Sequence, residues 1–148
     1  MSPGRRLSRV GTDVPDRFRD GSGWEQTAGY SRAVRRGPRI EVSGTTATGP
    51  DGRAIRPGDA GGQTRAALER ALTAVEHLGG RREDVVRTRL YLVPGADWEA
   101  AARAHAELLG DVAPANTTLF VQGLVGEGFL VEVEIEAHVA EPSGGQAS

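Results

Sequence analysis

The chain has 148 residues, 38% of them hydrophobic, and a formal net charge of −2. That length suits one domain with a full core, and the charge gives no bulk attraction to nucleic acid or an anionic membrane. Cysteine is absent and all 18 basic residues are arginine, which excludes disulfides, thiolate nucleophiles, iron–sulfur clusters, Cys-ligated zinc and a Schiff-base lysine.

His77, His105 and His138 are scattered without HxxxH spacing, so no metal and no cofactor are expected. No run approaches the roughly 18 apolar residues of a membrane span, and the N-terminus has no apolar signal region. Arg5, Arg6 and Arg9 hint at a transit peptide, but Asp13, Asp16 and Asp20 argue against it. A cytoplasmic protein is the expectation.

Residues 1–28 are rich in Gly, Arg, Asp and Pro without periodicity and read as an extended arm. Trp24 is the exception, a lone Trp in a polar arm with apolar surface to cover. Gly29 to Arg35 and Arg39 to Ser43 are short extended runs around Arg36-Gly37-Pro38, the pattern of a hairpin. Asp59 is placed to cap a helix in which Thr64, Ala67, Leu68, Ala71, Leu72, Val75 and Leu78 share one face. Gly79-Gly80 ends it. Asp84 to Val93 reads as a strand, with Val86, Thr88, Leu90 and Leu92 expected on the helix side.

Asp97 is placed to cap a second helix, with Trp98, Ala101, Ala102, His105, Leu108 and Leu109 as its apolar face. His105 on that face reads as a satisfied core histidine, and His77 as a surface residue. Thr117 to Gln122 and Phe129 to Ala140 follow as strands, joined by a Gly123–Gly128 segment that reads as a hairpin loop. That segment lacks the Lys and helix of a phosphate-binding loop. The domain therefore spans 29–140, with a disordered tail at 141–148. The order β-β-α-β-α-β-β predicts an α/β sandwich, with two helices on one face of a mixed sheet.

The last strand alternates strictly. Val131, Val133, Ile135 and Ala137 fall on one face; Glu132, Glu134 and Glu136 fall on the other. Arg87, Arg89 and Tyr91 are expected to share the glutamate face. A second sheet face with no helix to cover it points to a hydrated surface between subunits; an exposed face on a monomer is the alternative.

Several motifs occur in a set order: Gly29-Tyr30-Ser31-Arg32-Ala33-Val34, Val42-Ser43-Gly44-Thr45, Gln63-Thr64-Arg65-Ala66-Ala67-Leu68, Asp84-Val85-Val86-Arg87-Thr88, Pro114-Ala115 and Val133-Glu134-Ile135-Glu136-Ala137. In that order the chain resembles the Rid (YjgF, reactive intermediate deaminase) superfamily over roughly residues 29–140. The resemblance implies a chorismate-mutase-like fold, a homotrimer, and ligand clefts between adjacent subunits. It also implies hydrolysis of small enamines or imines, such as those derived from 2-aminoacrylate, to keto acids and ammonia.

Carried over by position, Tyr30, Ser43, Gly44 and Glu134 match pocket residues, with Glu134 managing water. Asn116 stands where that superfamily has a carboxylate-binding Arg, Thr118 where Cys is frequent, and Ala102 where a polar helix residue is frequent. An amide offers a neutral fork where guanidinium offers a bidentate ionic pair. The resemblance is therefore to the Arg-lacking branch, and little turnover of 2-aminoacrylate is expected.

Arg89 is the candidate replacement charge, while Trp24 and Phe120 are candidate cleft walls. Each has a plainer reading: Tyr30 as an interface residue, Ser43 as a strand-end turn, Asn116 as a turn cap, Trp24 and Phe120 as packing. Ser43 has no His or Lys partner in its motif and is not expected to be a nucleophile. The leading expectation is a hydrolytic deaminase of a small imine or enamine. The alternatives are a non-catalytic metabolite-binding partner protein and a tailoring enzyme guiding cyclisation or hydrolysis. Ribonuclease activity, linked to some relatives, fits poorly with near-neutral charge and no basic-aromatic patch.

Overall fold

The computed structural model describes residues 16–140. Its elements are β1 (Asp16–Phe18), α1 (Gly23–Ala28), β2 (Ala33–Arg36), β3 (Arg39–Thr46), α2 (Ala60–His77), β4 (Val85–Leu92), α3 (Trp98–Leu109), β5 (Ala115–Phe120) and β6 (Val131–His138). The six strands form one sheet in the order β1-β2-β3-β6-β4-β5. All pairs are antiparallel except β4–β5. From β2 onward the order is the expected β-β-α-β-α-β-β, a mixed sheet with α2 and α3 on one face.

The helices begin where their caps dictate. Asp59 accepts from Gly62 N at 2.8 Å and Asp97 from Ala100 N at 3.0 Å, which satisfies amides that a helix start leaves open. The buried stripe of α2, including Ala67, Leu68, Ala71, Leu72 and Val75, packs with Leu109 of α3. Both lie on Ile40, Leu90, Leu92, Val131, Val133 and Ile135 of the sheet. The odd-numbered residues of β6 form the centre of this core, so its even-numbered glutamates are turned to the opposite face.

Four expectations need correction. Val86 is 50% exposed, and Val85 is buried in its place. A register irregularity between Val85 and Arg87 reverses the alternation before Thr88, Leu90 and Leu92 turn inward as expected. On α3 the buried residues are Ala101, Ala104 and Leu109; Trp98 and Ala102 lie outside the core. The Gly123–Gly128 segment does not close a hairpin, because β4 lies between β5 and β6. Gln63 anchors this connection, donating to Gly128 O at 3.0 Å and accepting from Leu130 N at 2.8 Å.

The fourth correction concerns the arm. From Asp16 it carries β1 and the six-residue α1. Phe18 stacks on exposed His77 at 4.3 Å between ring centroids, joining β1 to the end of α2. The Glu25 carboxylate, 3% exposed, accepts from Asp20 N, Gly21 N and Arg32 N. Elements of three and six residues are too short to show a periodicity. The rest of the arm (1–15) and the tail (141–148) lie outside the described residues.

Candidate functional site

The outer sheet face is organised by a bulge. Val42 pairs with Ile135 and Thr45 with Val133, so Ser43 and Gly44 of β3 together oppose the single residue Glu134. Bulges re-aim side chains and free backbone groups from the ladder. Ser43 Oγ donates to Ser31 O at 2.6 Å, which occupies its proton and leaves a hydroxyl lone pair as its offering to a ligand. Gly44 packs under the neighbouring carboxylate: a Cβ there would sit 2.5 Å from Glu132 Oε2. Only glycine fits.

Across the next strand, Arg89 pairs in register with Glu134 and Tyr91 with Glu132. The Tyr91 hydroxyl donates to Glu134 Oε1. That bond, then burial and the carboxylate's charge, push the phenol above its ordinary range. Tyr91 is thereby held as a proton donor and Glu134 as an acceptor. Arg89 lies on this face too, but its guanidinium is bound to Glu136 at 2.7 Å. Glu132 differs from its neighbours. Burial first, then the charge of Glu134, push its carboxyl upward against the opposing influence of Arg32.

Behind the bulge lies a buried cationic anchor. Arg32 is 3% exposed and donates from Nη1 to Gly44 O at 2.6 Å and to Thr45 Oγ1 at 3.3 Å. Its Nη2 reaches the Tyr30 hydroxyl at 3.5 Å, and the guanidinium carbon stands 5.6 Å from the Tyr30 ring centroid. Its Nε lies 3.4 Å from Asp20 Oδ2 but makes no hydrogen bond. Asp20 also receives Arg70 from α2 at 2.6 Å. Burial raises the Asp20 carboxyl, yet the Arg70 hydrogen bond and the charges of Arg70 and Arg32 outweigh it and hold it below its usual value. The arm, the bulge and α2 are thus tied through two arginines and one aspartate.

Asn116 belongs to a different place. It pairs with Thr88, whose side chain is buried on the helix side, so Asn116 and Thr118 share that face and not the face of Glu134. Asn116 Nδ2 donates to Thr88 Oγ1 at 3.0 Å, and its Oδ1 accepts from Thr118 Oγ1 at 2.9 Å. Thr88 Oγ1 also meets His105 Nε2 at 2.8 Å. The amide can only donate to Thr88, so the Thr88 hydroxyl proton is free to go to His105, whose basicity burial lowers. His105 is therefore a bonded histidine, half-buried beside the core. Thr118 and Phe120 border a shallow notch with Leu92, Trp98 and Leu119.

Residues 22–139 match the family model described as Endoribonuclease L-PSP. The chain belongs to this family, the YjgF/Rid family. An uncharacterised protein of Streptomyces coelicolor, SCO2049, is 42% identical over 82% of this chain and 90% of its own length. The crystal structure of Rv2704 from Mycobacterium tuberculosis, a member of the YjgF/YER057c/UK114 family, superposes with a TM-score of 0.76 at 37% identity. The match covers 85% of this chain and 100% of that one. A Pseudomonas aeruginosa protein of unknown function, PA3499, gives 0.71 at 28% identity over 85% of this chain and 93% of its own.

Within this YjgF/Rid family member the residues singled out from sequence fall into two groups. Tyr30, Ser43, Gly44, Glu134 and Arg89 gather around the bulge and the outer face; Asn116, Thr118 and Phe120 lie on β5. Trp24 is 64% exposed on α1. Sequence reasoning did not single out Asp20 or Glu25, since charged residues in an aperiodic stretch read as solvated, and it gave Arg32 no role beyond membership of the Gly29–Val34 motif. Tyr91 and Glu132 were legible only as members of an alternating face. Among the described residues no group of three or more His, Cys, Asp or Glu is placed to hold a metal, and no helix is long and apolar enough to cross a membrane.

Proposed function

We propose that this family member hydrolyses a small imine or enamine to a carbonyl compound and ammonia at the outer-face bulge, with Glu134 as the water-handling group. One observation carries this reading: Ser43 and Gly44 bulge opposite Glu134, whose carboxylate is held as an acceptor by the Tyr91 hydroxyl. In the reaction, Glu134 takes a proton from water as its oxygen attacks the imine carbon. The C=N electron pair moves to nitrogen. The carbinolamine nitrogen then gains a proton, the C–N bond breaks, and the hydroxyl proton leaves as C=O forms. In sum, an iminium ion and a water molecule give a carbonyl compound and an ammonium ion, so atoms and charge balance. Positioned general acid–base catalysis of this kind contributes about 10²–10⁴-fold.

We place the complete cleft between copies of the chain in a homotrimer. β5 is the terminal strand of the sheet and all six of its residues are exposed, with Leu119 at 41% and Phe120 at 51%. An open apolar edge is a surface that soluble proteins cover. Because Asn116 and Glu134 occupy opposite sheet faces, a ligand touching both requires two chains. The family's description names endoribonuclease activity, but an outer face presenting Glu132, Glu134 and Glu136 is poorly matched to a polyanion, whose binding draws on phosphate-neutralising cations.

A second reading, a non-catalytic binder, draws support from Asn116, whose two amide ends are already bonded to Thr88 and Thr118. Ammonia release from imines generated in situ separates the two. The hydrolase reading expects turnover that falls at least about a hundredfold in Glu134→Gln with the melting temperature preserved. Saturable binding without turnover in the wild type would establish the binder instead. Light scattering after size exclusion reads the trimer directly.

A further inference from the structure

We infer that Glu132 makes the bulge site selective for a cationic nitrogen ligand, so that the substrate class is a protonated imine without a carboxylate. This inference rests on the reading of the outer face as the site. Its basis is a charge inventory of that face. Arg89 is bound to Glu136 at 2.7 Å and Arg39 to Glu41 at 2.6 Å. Arg87 donates to Thr117 Oγ1 and pairs in register with Glu136, at the end of β6 away from the bulge. Arg32, behind the bulge, directs Nη1 at Gly44 O and Thr45 Oγ1 and is flanked by Asp20.

Arg17 and Arg36, which register also places on this face, sit on β1 and at the turn end of β2, so no cation among the described residues is left at the bulge to receive a substrate carboxylate. Two carboxylates are there instead. Glu134 has the Tyr91 hydroxyl as its donor. Glu132 is half-buried over Gly44, and among the described residues no side chain or amide donates to it. A half-buried carboxylate beside a like charge is stabilised by an incoming cation and opposed to an incoming anion. The upward displacement of its carboxyl has the same origin: burial and Glu134 outweigh Arg32. The groups facing it are Glu134 on its own strand, Tyr91 on β4 and Arg32 just before β2.

The glycine is the second part of the device. Any side chain at position 44 would occupy the space of Glu132 Oε2. The carboxylate rests against bare backbone at the place where the ladder is interrupted, on the same strand face as Glu134. A ligand nitrogen between the two would be attracted by both, and would carry the positive charge that makes an imine carbon electrophilic toward water. Recognition and activation then use one charge.

The test sets two imines against each other in the full-length protein. One is released from benzylamine by a flavin amine oxidase and has no carboxylate; the other is the imino acid released from leucine by an amino-acid oxidase. Acceleration of ammonia release is measured against semicarbazide trapping for wild type, Glu132→Gln and Glu134→Gln. Calorimetric titration with benzylammonium and with phenylacetate reads binding independently of chemistry. The expected result is a preference of at least about tenfold for the benzylamine-derived imine, lost in Glu132→Gln, with benzylammonium but not phenylacetate bound. Equal or better turnover of the imino acid overturns the inference while leaving the hydrolase reading standing, as does a ratio unchanged in Glu132→Gln. Benzylammonium binding that depends on Glu132 without any turnover sustains the inference and removes the hydrolase reading. Failure to bind benzylammonium, with no turnover, overturns both.

Discussion

The two faces of β6 are eight residues of the same backbone in opposite surroundings. Val131, Val133, Ile135 and Ala137 are each no more than 1% exposed beneath the helices. Glu132, Glu134 and Glu136, interleaved with them, meet respectively a glycine bulge, a tyrosine hydroxyl and an arginine. One face is redundant: many methyls share the work of excluding water, and no single one has a specific task. The other is particular, since each carboxylate has a different neighbour. Stability and chemistry are thereby separated by the two-fold alternation of a strand, and the two respond to different substitutions.

The largest effect is expected on the apolar face. Leu90→Ala, beneath the same helices, should cost about 2–5 kcal/mol of unfolding free energy, read by denaturant titration. If it costs under about 1 kcal/mol, the apolar face is not the main source of stability. The anchor behind the bulge should come next. Arg32→Ala removes the donors to Gly44 O and Thr45 and leaves Asp20 with Arg70 and the Ser22 amide; an expected loss of about 1–3 kcal/mol follows from the unpaired buried acceptors. Benzylammonium binding should fall with it, because the bulge loses its support. A stability loss with binding intact would show that the bulge holds itself.

The Asp20 clamp has a pH signature. Its carboxyl is lowered in the fold, so its contribution is present above the unfolded value and is lost as pH falls through the folded value. Asp20→Asn should therefore destabilise the protein at neutral pH and flatten the acid limb of the stability curve below about pH 4. Thermal melts across that range check it, and an acid limb identical to wild type would remove Asp20 from the account.

The smallest effect has the opposite sign. Glu132 is raised in the fold, so ionising it costs stability, and that cost is felt as pH rises through the folded value. Glu132→Gln should raise the melting temperature by about 1–2 °C at neutral pH and change it least in acid. A charged residue that weakens the fold yet selects the ligand is the pattern expected of a site. If Glu132→Gln lowers stability at neutral pH, the side chain is a structural partner instead.

Much of this was legible in the chain. Asp59 and Asp97 announced both long helices, because a capping side chain acts within three residues of itself. The alternation of β6 assigned its two faces, because strand geometry is strictly two-fold. The motifs around Tyr30, Ser43, Glu134 and Asn116 identified the family. What escaped was whatever depends on neighbours far along the chain. Val86 turned outward because of an irregularity in its pairing with β6. Trp98 and Ala102 fell off the core because α2 and the sheet decide which arc of α3 is covered. Arg32 stood in a family motif without an assigned role: a buried arginine is recognisable only once Asp20, Thr45 and the Gly44 carbonyl converge on it.

By itself, then, the sequence determined the identity and order of the principal elements, their caps, the two-sided character of the last strand, and the family. These are local or periodic properties, written within a few residues of one another. Only the tertiary structure decided that Ser43 and Gly44 bulge opposite Glu134, that Arg89 is claimed by Glu136, that Asn116 faces the other side of the sheet, and that Glu132 lies over a glycine. Each of these is a matter of register between strands brought together from distant parts of the chain. Register is set by the packing of the whole sheet against its helices, so no single segment encodes it.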